Sequence, residues 1–242
     1  VRNLRARRLA MFQMRDLMTP APVTLGAEST AAEALALCNE HEIRHVIVLE
    51  DGGGGGGGGG GRLAGILSDR DLRDASPATG ADADQKTTLE KLRVREIMTP
   101  DPITVHPQDL VGFAAQEMYE RKIDALPVVS EEGDEEKLIG IVTSTDVMQA
   151  LVTLTGVHEP GCQVQVTAPD RAGIIAEVAD EIRALEADIV SVLSRPEKKF
   201  ENRTMIFRLA VEDPSTVVQS LEMAGYSASW ITIPRRPRNQ NR

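Results

Sequence analysis

Only two cysteines, Cys38 and Cys162, stand in 242 residues. They are too few and too far apart for a disulfide framework, so both are read as reduced thiols. No run of about 18 consecutive apolar residues occurs, so no membrane-spanning helix is expected. The basic start Val1-Arg2-Asn3-Leu4-Arg5-Ala6-Arg7-Arg8 is not followed by the apolar core of a signal peptide, and a cytoplasmic protein without a membrane partner is expected. Positive charge is also short. Against 37 Asp and Glu there are 27 Lys and Arg, a formal charge of -10, whereas a general nucleic-acid binder needs a concentrated basic surface to neutralise phosphates. No nucleic-acid partner is expected. Catalytic patterns are missing too: with no Gly-x-Ser-x-Gly, no His-Glu-x-x-His and no convincing triad, no catalytic residue is assigned and an enzyme is not expected. Cys38, His41 and His45 have metal-ligand side chains, but a zinc site needs further ligands and Cys38 falls on an apolar helix face. No metal site is assigned.

What the chain does have is an internal repeat. Arg15-Asp16-Leu17-Met18-Thr19-Pro20 returns as Arg95-Glu96-Ile97-Met98-Thr99-Pro100, an offset of 80 residues. The same offset carries Pro22-Val23-Thr24-Leu25 onto Pro102-Ile103-Thr104-Val105. Beyond the hairpin the offset becomes 75, matching Gly65-Ile66-Leu67-Ser68-Asp69-Arg70-Asp71 to Gly140-Ile141-Val142-Thr143-Ser144-Thr145-Asp146. Each copy reads as strand, helix, two strands, helix. Thr30 and Glu33 have capping-box spacing, Leu110, Ala114 and Met118 recur at helical spacing, and the short apolar runs Val46 to Leu49 and Leu63 to Leu67 suit a hairpin. A three-stranded sheet of about 60 residues leaves one face bare, so the copies are expected to pack on each other. Gly52 to Gly61 leads into a strand rather than a helix, which excludes a phosphate-cradling loop and predicts a disordered hairpin tip.

These residues resemble the tandem CBS pair, or Bateman module. The boundaries read as a basic extension at 1–13, CBS repeat 1 at 14–75, a linker at 76–90 and CBS repeat 2 at 91–154. The resemblance implies an α+β pair of βαββα repeats about a pseudo-twofold axis, with clefts able to take an adenine nucleotide such as AMP, ADP, ATP or S-adenosylmethionine as regulatory ligand. No required cofactor is implied. An Asp three residues after a hydroxyl side chain at a helix start can accept hydrogen bonds from vicinal ribose hydroxyls, and it can equally be a plain helix cap. By the family pattern Thr143 and Asp146 face Thr24, Arg44 and His45, while Ser68 and Asp71 face Thr104, Asp124 and Ala125. Arg44 supplies a cation for phosphate where Asp124 would repel it, so the Asp146 cleft is expected to be the stronger. The family often has Pro where Ile47 stands.

The carboxyl-terminal part is patterned differently. Gln163-Val164-Gln165-Val166-Thr167 alternates, Ile174, Val178, Ile182 and Leu185 recur at helical spacing, a strand follows at Ile189 to Leu193, and Met205, Phe207, Leu209 and Val211 alternate. Asp213-Pro214 opens a second helix and Gly225 closes it before a strand at Ser227 to Ile233. The order βαββαβ is ferredoxin-like. Pro169-Asp170-Arg171-Ala172-Gly173-Ile174 resembles the first loop of an ACT domain, spanning 161–233 with a disordered tail at 234–242. That resemblance implies an amino acid or other small effector bound near Asp170, Arg171, Gly173 and Ile174; alternatively these residues only cap and pack. The order CBS, CBS, ACT resembles bacterial acetoin-utilisation accessory proteins, and so implies regulation near acetoin or acetyl-CoA metabolism. A homo-oligomer, in the simplest case a dimer, is expected to bury the remaining apolar surface. The competing reading is a ligand-free oligomerisation scaffold.

Overall fold

The protein is described by a computed structural model at residues 13–50, 61–75, 89–132, 135–197 and 201–231. The glycine loop apart from Gly61, most of the linker, the extension ahead of Gln13 and the tail lie outside these residues. The chain divides into two compact units, Val1–Ala150 and Leu151–Arg242.

In the first unit, the first copy runs through helix α1 (Met14–Leu17), β1 (Thr19–Pro20), β2 (Thr24–Gly26), α2 (Ala31–Glu40), β3 (His45–Leu49), β4 (Leu63–Ser68) and α3 (Asp69–Asp74). The second runs through a 3₁₀ turn (Val94–Glu96), β5 (Thr99–Pro100), α4 (Val111–Arg121), β6 (Ala125–Glu132), β7 (Glu135–Thr143) and α5 (Ser144–Leu154). Local rules set several ends. Thr30 and Glu33 form the expected reciprocal box, Thr30 N–H donating to Glu33 Oε2 at 2.8 Å and Glu33 N–H to Thr30 Oγ1 at 3.2 Å. One expectation fails locally: Leu110 is the extended N-cap of α4 and 58% exposed, so Val111 joins Ala114 and Met118 on the buried stripe instead.

The copies exchange their leading strands. β1 pairs with β7 of the second copy, Thr19 opposite Ile141, while β5 pairs with β4 of the first, Ile66 opposite Thr99. The sheets are therefore β2-β3-β4-β5 and β1-β7-β6, the latter extended by a parallel bridge from Val105 to Val128. Reciprocity extends to single bonds. Met14 N–H donates to Asp109 O and Val94 N–H to Ser29 O, each at 2.9 Å and each the other's equivalent 80 residues on. Left-handed backbone recurs at the same offset, with φ of 47° and 45° at Ala21 and Asp101, and 52° and 59° at Glu42 and Lys122.

Side chains follow the exchange. Leu89, at the end of the linker, and Val94 of the second copy are buried in the first copy's cluster with Cys38, Val46 and Leu72. Ile47 and Leu49 meet Ala125 and Ile141 in a core shared by both sheets. Ile47 also uses the backbone N–H that a proline would lack, donating to Val23 O at 3.3 Å. Both cysteines are free and buried.

The second unit has β8 (Cys162–Pro169), α6 (Ile174–Ala184), β9 (Ile189–Pro196), β10 (Asn202–Leu209), α7 (Ser215–Met223) and β11 (Ser227–Ile231), in the antiparallel order β11-β8-β10-β9. This is the ferredoxin-like layout. Alternate residues Cys162, Val164, Val166 and Ala168 meet Met205, Phe207 and Leu209 under Ile174, Val178 and Ile182. Leu185 leaves that stripe because it is the non-helical C-cap of α6, 37% exposed.

The exchanged strands rest on missing side chains. A Cβ at Gly140 would lie 2.6 Å from Met18 Sδ and 3.1 Å from Met18 Cβ, and one at Gly65 would lie 2.6 Å from Met98 Sδ and 2.8 Å from Thr99 O. Gly65→Ala and Gly140→Ala should each destabilise the first unit by about 1–3 kcal/mol through overpacking. Gly112→Ala, whose Cβ meets nothing within 4 Å on the helix α4, should be neutral or stabilise by about 0.4–1 kcal/mol. Chemical denaturation of the three variants checks this contrast.

Candidate functional site

A cavity of about 490 Å³ opens in the first unit. One wall comes from the β3–β4 hairpin and α3: Arg44, His45, Ser68, Asp71 and their neighbours. Register explains the grouping, since antiparallel pairing sets His45 opposite Ser68 and Asp69 N–H donates to Arg44 O at 2.9 Å. The other wall belongs to the second copy. The exchanged strand delivers Thr99, Asp101, Pro102 and Ile103, and the turn into β6 delivers Lys122, Asp124 and Ala125.

The carboxylate of Asp71 is fixed before any ligand arrives. Ser68 N–H and Ser68 Oγ both donate to Asp71 Oδ2 at 2.7 Å, and Asp71 N–H donates to Ser68 Oγ at 3.3 Å. The capping role is therefore real. It uses Oδ2 and leaves Oδ1 as the acceptor for a ligand hydroxyl. Thr143 and Asp146 repeat the arrangement at 2.8, 2.7 and 3.4 Å.

The cavity's charge is mixed. Its cations are Arg44, Arg70, Arg73 and Lys122, and its anions Asp69, Asp71, Asp101 and Asp124. Arg73 is paired with Asp69 at 3.2 Å in an exposed i,i+4 bridge, worth about 0–1 kcal/mol. Lys122 places its Nζ 4.3 Å from the Tyr119 ring centroid. His45 is half-buried, and desolvation lowers its pKa although Asp124 acts in the opposite sense.

The sequence-derived site residues are thus regrouped. Arg44 and His45 lie with Ser68 and Asp71 in this cavity, whereas Thr24, Thr104, Thr143 and Asp146 are not on its lining. Thr24 starts β2 opposite Ile47. The expected separation of a cationic cleft from an acidic one does not hold here, because Arg44 and Asp124, equivalent positions 80 residues apart, line one cavity. Sequence reasoning passed over Arg70, Arg73, Lys122 and Asp101. The first two occupy helix positions around the Ser-x-x-Asp motif, and the last two are left-handed turn residues ahead of or within the exchanged connections.

In the second unit the expected effector-loop residues are engaged internally. Asp170 accepts from Arg203 Nε at 2.8 Å, Arg171 grips Glu177 with both terminal nitrogens at 2.5 Å, Gly173 opens α6 with φ 84°, and Ile174 is 2% exposed. The Arg171 bridge holds the Glu177 carboxyl below its ordinary range. Among the described residues no helix is long and apolar enough to cross a membrane, and no group of three His, Cys, Asp or Glu side chains could hold a metal ion.

The CBS domain family model matches residues 14–78 and 94–153, together just over half of the 242 residues. A CBS domain-containing protein of Dictyostelium discoideum is 31% identical over 142 residues, covering 57% of this chain and 90% of its own. Enzymes among the relatives, inosine-5'-monophosphate dehydrogenases included, align over only 22–35% of their own length. Among solved structures, an acetoin utilization protein (AcuB) from Vibrio cholerae is 28% identical over 61% of this chain and 98% of that chain, TM-score 0.46. CBSX2, a CBS-pair protein from Arabidopsis thaliana, is in complex with AMP in a structure 27% identical over 60% of this chain and 98% of that chain, TM-score 0.46.

Because the folded His45 holds its proton less tightly than the unfolded one, stability attributable to it is full above the ordinary value of 6.5 and is lost as pH falls through the lower folded value. Asp124→Asn removes the largest charge favouring the imidazolium. NMR titration of His45 should give a midpoint below 6.5 in the wild type and lower again in Asp124→Asn. A midpoint that rises in the variant would contradict this electrostatic arrangement.

Proposed function

The chain belongs to the CBS-domain family, and we propose that it is a non-catalytic regulatory protein that senses an adenine nucleotide in the cavity beside Ser68 and Asp71. The observation that carries this reading is the meeting, in one cavity, of a pre-oriented carboxylate acceptor with the cationic side chains of Arg44, Arg70 and Lys122. Vicinal ribose hydroxyls donate to Asp71, and the cations take the phosphoryl oxygens. His45 stacks or hydrogen-bonds between them. A volume of about 490 Å³ is that of a small-molecule site. Thr143 and Asp146, with Thr24 of the first copy, form the symmetry-related second position.

The ferredoxin-like unit is proposed to be an ACT-type effector domain, supported by its strand order and by the Pro169 to Ile174 loop. Effector entry there requires the Arg171–Glu177 and Asp170–Arg203 pairs to open. A regulatory role near acetoin metabolism belongs to the same proposal and rests on the resemblance in domain order alone. Exposed Phe113, Tyr119 and Met148, at 47%, 75% and 60%, favour assembly into a homodimer. They equally support the second reading, a ligand-free scaffold.

Calorimetric titration with AMP, ADP, ATP and S-adenosylmethionine separates the readings. Asp71→Ala should weaken the bound nucleotide at least about tenfold, having lost charge-assisted hydrogen bonds of about 1.5–3 kcal/mol each. Asp146→Ala loses the same kind of cap, about 0.5–2 kcal/mol of stability, and should affect only the second position, leaving binding in the Asp71 cavity unchanged. If Asp71→Ala binds as tightly as the wild type, the placing of the site at Asp71 fails; if no compound binds the wild type, the sensor reading fails and the scaffold reading stands. Light scattering should give about twice the 26.2 kDa chain mass; a single-chain mass at micromolar concentration would overturn the dimer.

A further inference from the structure

We infer that Asp124 makes this cavity selective for an adenine nucleotide with a single phosphoryl group and against the triphosphate. The inference rests on the adenine-nucleotide reading above and assigns it a ligand class.

The inventory of charge decides it. Of the cations on the cavity wall, Arg73 is already engaged by Asp69, which leaves Arg44, Arg70 and Lys122 to meet a phosphoryl group. Among the described residues the ion pairs formed by arginines leave these three without an acidic side chain within 4.0 Å. Asp71 is committed to its cap and to the ribose. Asp101 and Asp124 share the second copy's wall with Lys122. A monophosphate brings about two negative charges, which Arg44 and Arg70 on the first copy's wall can meet when the phosphoryl lies on that side. Each added phosphoryl brings further negative charge and no further cation. Reaching across the cavity, it meets two carboxylates, Asp101 and Asp124, against Lys122.

The position of Asp124 is what gives it this role. Position 124 is the repeat equivalent of position 44, and both side chains line the same cavity. With a cation at both, the cavity would offer matched charge on each wall to a polyphosphate. With Arg44 facing Asp124, the second copy's wall sets two carboxylates, Asp101 and Asp124, against Lys122. The Asp124 backbone is fixed by accepting from Ser144 N–H at 2.8 Å, while its side chain is exposed to the cavity mouth. Charge can therefore be removed there without disturbing the strand.

The test is competition calorimetry with AMP, ADP and ATP at fixed ionic strength in EDTA, on the full chain and on Asp124→Asn, with melting curves to establish that the variant folds. The wild type should bind AMP at least about tenfold more tightly than ATP, with ADP between. In Asp124→Asn the AMP-to-ATP ratio should shrink to within about threefold, chiefly because ATP binds better. ATP binding as tightly as AMP in the wild type, or an unchanged ratio in the variant, would overturn the inference while leaving the nucleotide reading intact. Failure of all three nucleotides to bind would overturn both.

Discussion

Each copy's sheet in the first unit is completed by a strand borrowed from the other copy, and each borrowed strand lays a methionine sulfur where a glycine has no side chain. Met18 lies on Gly140 and Met98 on Gly65. Because both exchanges must form together, neither copy can close its core alone. Leu89 and Val94 fill the first copy's cluster, and Ile47 and Leu49 share a core with Ala125 and Ile141. The glycine of each Gly-x-x-[Ser/Thr]-x-x-Asp end is thus a packing requirement set by the other copy. A methyl group there meets a thioether or a backbone carbonyl within van der Waals distance.

The exchange also creates the cavity. β5 pairs with β4, so the connection after it, from Asp101 to Ile103, is delivered to the wall opposite Ser68 and Asp71. The hairpin supplies Arg44 and His45 from the same copy, through the register that opposes His45 and Ser68. Capping and ligand binding cease to be alternatives at Asp71, because one carboxylate oxygen orients the group and the other is available to a ligand. A cap that fixes the carboxylate lowers the ordering cost at binding, which is how a short motif can serve both stability and recognition.

The two units use their polar loops differently. In the first, charged side chains surround an open volume. In the second, the loop after β8 is held by side-chain pairs of its own, Asp170 with Arg203 and Arg171 with Glu177. The Arg171–Glu177 pair is solvent-exposed and individually weak, whereas Arg203 in the other pair is half-buried.

Much of this was legible in the chain. Repetition of Met-Thr-Pro and of the Ser-x-x-Asp and Thr-x-x-Asp ends, the Thr30 capping box, the apolar hairpin runs and the alternation of Cys162, Val164 and Val166 are local patterns, and local patterns fix helices, strands and caps because their causes act within a few residues. Misplaced Leu110 and Leu185 mark the limit of such patterns, since a residue just outside a helix no longer follows its period. Which side chains share a cavity was a different matter. The family pattern assigns Arg44 and Asp124 to opposite clefts, but hairpin register and the reciprocal strand exchange bring them to one wall and its facing wall. Sequence by itself determined the repeat, the elements and the capping residues. Only the tertiary structure decided the grouping of charge, because pairing between residues tens of positions apart depends on how the two sheets close around each other.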